Sequence, residues 1–225
     1  GVVVMRMRRK KNLETRVEQT DNLLFREPER FFTMENKEDY KIDLKKVFGN
    51  SNPVYLEIGC GKGGLLKEMA LNNPEINFIG VEKITNVMVS ALENGKGINN
   101  LKFINCDAQN LSFILTENSI KKIMLNFSCP FPKKTYANRR LTNEKFLEIY
   151  KKIGCHDFTI EQKTDSLDFF EYSLLEYEKC GYKILEKSYD LYAEKDFSDK
   201  KIYRTEFENS FIAQNKPIRY VKVSL

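Results

Sequence analysis

After a polar, charge-rich lead to about residue 50, the pattern of apolar positions becomes regular. Pro53–Ile58 reads as a buried strand cut off by Gly59, Gly61, Gly63 and Gly64, since a short apolar run stopped by glycine fits a strand covered on both faces. Leu65, Leu66, Met69 and Ala70 then recur at helical spacing. Asn77–Val81 reads as a second strand, ending at Glu82, and Val87–Leu92 continues helically. A third strand, Leu101–Asn105, ends at Cys106-Asp107; a fourth covers Lys122–Phe127, and a fifth, Asp157–Glu161, precedes Lys163-Thr164-Asp165. Strands separated repeatedly by helical patterns predict βαβ units, hence an α/β fold with a Rossmann-like, mostly parallel sheet and helices on both faces.

The C-terminal pattern differs. Tyr182–Lys187 and Pro217–Leu225 are strand-like with no clear helix between them, which predicts an antiparallel C-terminal hairpin at one sheet edge and Glu194–Glu208 as a polar connection. No internal repeat or low-complexity tract interrupts this order. A chain of 225 residues with 41% hydrophobic content is long enough for one sizeable core and predicts one domain.

Charge changes that picture only at the N-terminus. The formal net charge of +5 equals the contribution of Arg6, Arg8, Arg9, Lys10 and Lys11, so the rest of the chain is balanced and the excess is a basic arm. Such an arm is either a solvated tail or a means of reaching phosphate. The five cysteines, Cys60, Cys106, Cys129, Cys155 and Cys180, contain no C-x-x-C pair and face a single histidine, His156. That excludes a recognisable zinc site and points to a reducing, cytoplasmic compartment and no metal. No apolar stretch approaches a membrane span, and Gly1–Val4, ahead of Met5, is too short for a signal-peptide core.

In open α/β sheets ligands bind beyond the carboxyl ends of the strands, which directs attention to Glu57–Gly64, Glu82, Asp107 and the segment NFSCPFPKKTYANRRL, Asn126–Leu141. Gly59-Cys60-Gly61-Lys62-Gly63-Gly64 satisfies G-x-G-x-x-G, the form of a dinucleotide loop, and equally G-x-G-x-G. Glu57 decides between them: a carboxylate there repels a pyrophosphate but attracts an ammonium or sulfonium, which favours S-adenosylmethionine over NAD. Glu82 is placed to accept from both ribose hydroxyls, and Asp107 with Ala108 suits the adenine amino group and ring face. Any one of these acids could be a solvated loop residue; three in register after successive strands define a candidate cofactor site.

With Asn126–Leu141 included, the chain closely resembles the TrmB family, the tRNA (guanine-N7-)-methyltransferases. The resemblance runs from Met5–Arg9 through Leu56–Gly63, Gly80-Val81-Glu82 and Asn126–Leu141 to Lys163-Thr164-Asp165 and Thr205–Glu208. It implies a class I methyltransferase fold, S-adenosyl-L-methionine as methyl donor with S-adenosyl-L-homocysteine as product, and methylation of guanine N7 in the tRNA variable loop, normally at position forty-six. It implies a basic N-terminal arm and lead-in over residues 1–50 and a methyltransferase domain over residues 51–225. Glu57, Gly59, Gly61, Glu82, Asp107, Ala108 and Cys129 resemble the cofactor contacts. Lys133, Asp165, Thr205, Glu206, Phe207 and Glu208 resemble the substrate contacts, and Thr135–Arg140, with Arg139 and Arg140, resembles the RNA-contacting stretch. Lys133, Lys134, Arg139 and Arg140 follow directly on a strand end, so a base entering the site would bring its phosphates past them. A monomer and a homodimer fit equally.

The resemblance departs at its centre. The family usually carries Asp-Pro-Trp-Pro-Lys where this chain has Cys129-Pro130-Phe131-Pro132-Lys133, and histidine or arginine where Thr135 and Tyr136 stand. Guanine N7 bears a lone pair and no proton, so methylation there needs no general base. The site must supply in-line positioning and acceptors for the guanine N1-H and N2-H2 edge, and a thiol accepts only weakly. Cys129 therefore stands in the catalytic position with a weaker group, and the alternative is a catalytically impaired tRNA-binding protein of the same fold. A covalent role for Cys129 is disfavoured, because N7 attack needs no enzyme adduct and no adjacent histidine activates the thiol.

Overall fold

The computed structural model describes residues 7–225; Arg6, and with it Gly1–Met5, lies outside the described residues. Eight strands form a single sheet: β1 (Leu23–Arg26), β2 (Val54–Ile58), β3 (Asn77–Val81), β4 (Leu101–Asn105), β5 (Ile120–Asn126), β6 (Gly154–Thr164), β7 (Lys183–Ser188) and β8 (Arg219–Ser224). Their order across the sheet is β1-β4-β3-β2-β5-β6-β8-β7. The pairs from β1 to β6 are parallel, whereas β8 runs antiparallel to both β6 and β7. The strand order turns back between β2 and β5, the switch point at which such sheets open a crevice for ligands.

The helices are α1 (Leu13–Glu18), α2 (Leu44–Phe48), α3 (Gly64–Asn72), α4 (Thr85–Asn94), α5 (Leu111–Ile114), α6 (Glu144–Ile153), α7 (Leu167–Lys179) and α8 (Glu206–Ala213). They divide between the sheet faces because side chains alternate along each strand. Leu56 and Ile58 of β2, Ile123 and Leu125 of β5 and Val221 of β8 join one core with Leu111, Leu147, Phe170 and Tyr177 of α5, α6 and α7. On the other face Phe78, Phe103 and Met124 pack with Leu13 and Val17 of α1, Leu66 of α3 and Met88 of α4. On this second face the intervening positions are polar towards the C-terminal half of the sheet: Glu57, Lys122, Asn126, Glu161 and Lys163 line up there around a cavity or at its edge.

The expected strands and the antiparallel C-terminal pair are present. Two elements depart from the sequence expectations. The lead-in contributes β1, paired to β4 from Leu23↔Phe103 to Arg26↔Asn105, so part of it belongs to the sheet. The connection expected to be helix-free ends in α8, with Thr205 as its N-cap.

Candidate active site

The glycine turn leaves β2 and folds against the end of β3: the Gly59 and Cys60 amides both donate to the Val81 carbonyl, at 2.8 and 3.1 Å. Gly59 (φ +79°) and Gly61 (φ +56°) sit in the left-handed region that glycine tolerates. No atom lies within 4 Å of where a Cβ would stand at either position, so the turn offers bare backbone to an approaching molecule.

Glu57, 3% exposed, lies just before this turn, and its Oε2 accepts from Asn126 Nδ2 at 2.8 Å. Burial pushes its carboxyl up to about 7, the Asn126 hydrogen bond opposes that shift, and the neighbouring charge of Glu82 adds to it. Glu82 is itself pushed up by burial, with Lys83 acting in the opposite sense. Asp107, beyond β4, accepts the Gln109 amide at 3.0 Å and so caps the 3-10 turn Ala108–Asn110, in which Ala108 is buried.

Sequence reasoning missed a further acid in this row. Glu27 follows β1, its amide bonded to the Asn105 carbonyl at 2.8 Å, and its carboxylate accepts from Asn110 Nδ2. Burial raises its pKa, and the negative charge of Asp107 contributes in the same direction. Glu57 at the end of β2, and Glu82, Asp107 and Glu27 beyond β3, β4 and β1, thus follow one another in the order of the strands in the sheet. Its signal, an acid directly after a strand, is the one that identifies the others, but the strand itself is only four residues long.

A buried carboxylate with no cation beside it among the described residues, an open backbone cradle and a row of further acceptors form a set suited to a ligand with a cationic head and several hydroxyl and amino hydrogens. The residues present therefore fit S-adenosylmethionine. Among the described residues no cluster of ligands could hold a metal ion, and no helix is long and apolar enough to cross a membrane.

Past Asn126 the chain leaves β5 abruptly. The Phe127 amide donates to the Lys163 carbonyl at 2.9 Å, and Phe127 (φ +52°) and Phe131 (φ +41°) both take left-handed backbone. Between them the Ser128 hydroxyl is buried without a partner and Cys129 is exposed. Lys133, Lys134 and Arg139 are exposed on the continuing segment, with the Arg139 guanidinium 4.6 Å above the Tyr136 ring. Arg140 turns back instead, and its Nε and Nη2 donate to main-chain carbonyls of Pro130 and Phe131.

The structure brings the C-terminal motifs together beside this loop. Lys163, 9% exposed, donates from Nζ to Glu208 Oε1 and Oε2 at 3.1 and 3.3 Å and to the Lys200 carbonyl at 2.6 Å. Glu208 is 1% exposed and also accepts from the Tyr192 hydroxyl. Thr205 Oγ1 accepts the Glu208 amide at 3.0 Å, whereas Glu206 and Phe207 face outward. The Asp165 carbonyl is held by Arg219 Nη1 at 2.7 Å, and Asp165 itself is half-buried. A cavity of about 250 Å³, lined by Asn126, Lys163, Glu208 and residues of α3, separates the glycine-turn helix from α8.

A Rossmann-like sheet with an antiparallel C-terminal pair, a glycine turn and acids at successive strand ends define a class I S-adenosylmethionine-dependent methyltransferase. Solved structures agree on the fold: an antibiotic-related methyltransferase superposes with a TM-score of 0.59 at 18% identity, over 85% of this chain and 94% of its own. A SAM-dependent methyltransferase from Aquifex aeolicus does so with 0.52 at 13% identity, over 95% and 98%. A family model described as "Putative methyltransferase" matches residues 51–221. The tRNA (guanine-N(7)-)-methyltransferase of Bacillus licheniformis is 36% identical over 97% of this chain and 98% of its own length, and that of Bacillus cytotoxicus is 40% identical over 85% and 88%. The chain belongs to the tRNA (guanine-N7-)-methyltransferase family.

Proposed function

We propose that the chain methylates N7 of a guanine in the tRNA variable loop, at position forty-six, with S-adenosylmethionine as donor. The observation that carries this reading is the similarity over 97% of the chain to a protein named tRNA (guanine-N(7)-)-methyltransferase. When bound, S-adenosylmethionine supplies a methyl group on a sulfonium, whose bonding pair stays with sulfur as the N7 lone pair takes the methyl carbon. No proton moves, so the chain's own residues are asked to bind and orient rather than to act as acid or base.

In this reading Glu57 faces the donor's ammonium and sulfonium, Glu82 takes the ribose hydroxyls, and Asp107, Ala108 and Glu27 surround the adenine. Gly59 and Gly61 admit the donor close to the backbone. Cys129 stands between donor and guanine. Lys133, Asp165 and the helix start Thr205, Glu206 and Phe207 receive the nucleotide, Glu208, buried on Lys163, holds that helix start in place, and Arg139 meets RNA phosphates. The variable-loop base is drawn out of its stack to enter, at a cost of a few kcal/mol that the binding contacts offset.

We further assign residues 51–225 as the body of the methyltransferase unit, supported by a family match over residues 51–221, and residues 1–50 as a basic arm and lead-in whose β1 joins that unit's sheet. The tRNA substrate supports a cytoplasmic location. Incubation with labelled S-adenosylmethionine and unmodified tRNA, followed by chain cleavage at m7G, tests the reading. Label at the variable-loop guanine is expected; label elsewhere, or none, overturns it.

A further inference from the structure

We propose that Arg140 is a positioning residue for methyl transfer, a brace that sets the Cys129 loop, rather than a contact to an RNA phosphate. The inference rests on the tRNA reading above. Its Nε donates to the Pro130 carbonyl at 3.0 Å and to the Phe131 carbonyl at 3.2 Å, and its Nη2 donates to the Phe131 carbonyl at 3.0 Å. The face of the guanidinium lies 4.4 Å from the centre of the Tyr172 ring. The Tyr172 hydroxyl accepts from Asn143 Nδ2 at 2.8 Å, and Asn143 is the N-cap of α6. The loop is thereby tied through one side chain to α7, which carries Tyr172, and to the start of α6.

The loop needs such a tie. Pro130 and Pro132 have no amide hydrogen, so the segment cannot close on itself by a backbone ladder. Phe127 and Phe131 hold a left-handed backbone that side chains of this size rarely adopt and that persists only where the surroundings over-determine it. A planar fork satisfies two successive carbonyls at once, which the single point charge of a lysine does not reproduce. With Nε and Nη2 engaged and one face covered, Arg140 differs from its neighbour Arg139, which is exposed and stacks on Tyr136.

Because N7 transfer depends on alignment rather than proton transfer, a shift of the Cys129 loop should appear in turnover and not in tRNA affinity. The test compares Arg140→Lys and Tyr172→Leu, which loosens the brace without touching the arginine, with Arg139→Gln. For each, kcat and KM for tRNA, the salt dependence of tRNA binding, and the rate at which iodoacetamide alkylates Cys129 in the absence of RNA are measured. Arg140→Lys and Tyr172→Leu are expected to lower kcat by up to about 10²-fold, the cost of a misplacement of the order of 1 Å, and to change the Cys129 alkylation rate, with tRNA affinity and salt slope unchanged. Arg139→Gln is expected to reduce the slope by about one. If Arg140→Lys instead weakens binding and reduces the slope while kcat and Cys129 reactivity stay as in the parent, Arg140 is a phosphate contact and the proposal fails. It fails also if neither variant changes any readout. Should the parent protein not methylate tRNA, the functional reading falls, while the alkylation rates still decide whether Arg140 and Tyr172 hold the loop.

Discussion

Cys129 is exposed at the tip of a strained turn, where a carboxylate would offer two acceptor oxygens to a guanine edge and a thiol offers one weak acceptor. A charge-assisted hydrogen bond contributes about 1.5–3 kcal/mol, so Cys129→Asp is expected to raise methyl transfer to tRNA at saturating cofactor by about tenfold or more, measured by initial rates. An unchanged rate would mean that the cysteine is no handicap. Glu57 carries a pH prediction. Its folded-state carboxyl titrates at about 7, above an ordinary glutamate, so the folded protein without donor holds that proton more tightly than the unfolded chain. The stability this group contributes is present at acid pH and lost as pH rises through about 7. A cationic donor requires the charged form: its affinity should rise with pH up to about 7 and level off above, with proton release on binding below that point. Calorimetry in buffers of different ionisation enthalpy measures the release, and Glu57→Gln should abolish it. Glu57, Glu82 and Asp107 were legible because each ends an apolar run. The inward turn of Arg140 was not, because spacing alone places a basic pair on a surface and says nothing of the two carbonyls that the Pro130–Pro132 turn leaves without amide partners.

At the scale of elements, the strands β2 to β6 could be read from short, largely apolar segments, β6 only over Asp157–Glu161 of its full length, whereas α8 was hidden by an inversion of the usual pattern. Its buried residue is Glu208, while Phe207 is 65% exposed, so a search for an apolar face finds no helix. What draws the helix inward is Lys163. Burial lowers the pKa of that lysine more than the Glu208 carboxylate restores it, which marks the pair as fixing position rather than adding net stability. Removing one partner strands the other: Glu208→Ala should cost about 3–5 kcal/mol, read from chemical denaturation. Thr205→Ala, which deletes only the cap, should cost about 1 kcal/mol. Equal losses from the two variants would contradict a buried pair. β1 escaped notice for a simpler reason: it has four residues, none fully buried, and depends on β4 for its stability.

Across the whole molecule the basic surplus is organised rather than loose. The Lys10 amide donates to Asn86 Oδ1 at 2.6 Å, its Nζ bonds to Ser90 Oγ, and Asn86 Nδ2 donates to the Arg8 carbonyl at 3.1 Å, so the described part of the arm is laid along α4. Burial lowers the pKa of Lys10, and the charges of Arg16 and of Lys62 in the glycine turn lower it further. Deletion of residues 1–11 should weaken tRNA binding and flatten its log–log salt dependence by roughly one unit for each phosphate that the arm neutralises; an unchanged slope would remove the arm from the binding surface. The position of β8 bears on something other than binding. β2, β3 and β4 pair with one another across one helix each, but β1 meets β4 only through distant pairings such as Arg26↔Asn105, β6 meets β8 only through pairings such as Thr164↔Arg219, and β7 meets β8 from the other side. Joining distant stretches of chain costs loop-closure entropy before any stability is returned, so such pairings form late. The folding chain thus builds the β2–β3–β4 centre first and closes both edges late, the one that ends in Glu27 and the one that gathers the C-terminal motifs, so a molecule caught midway holds a half-made cleft open at both sides.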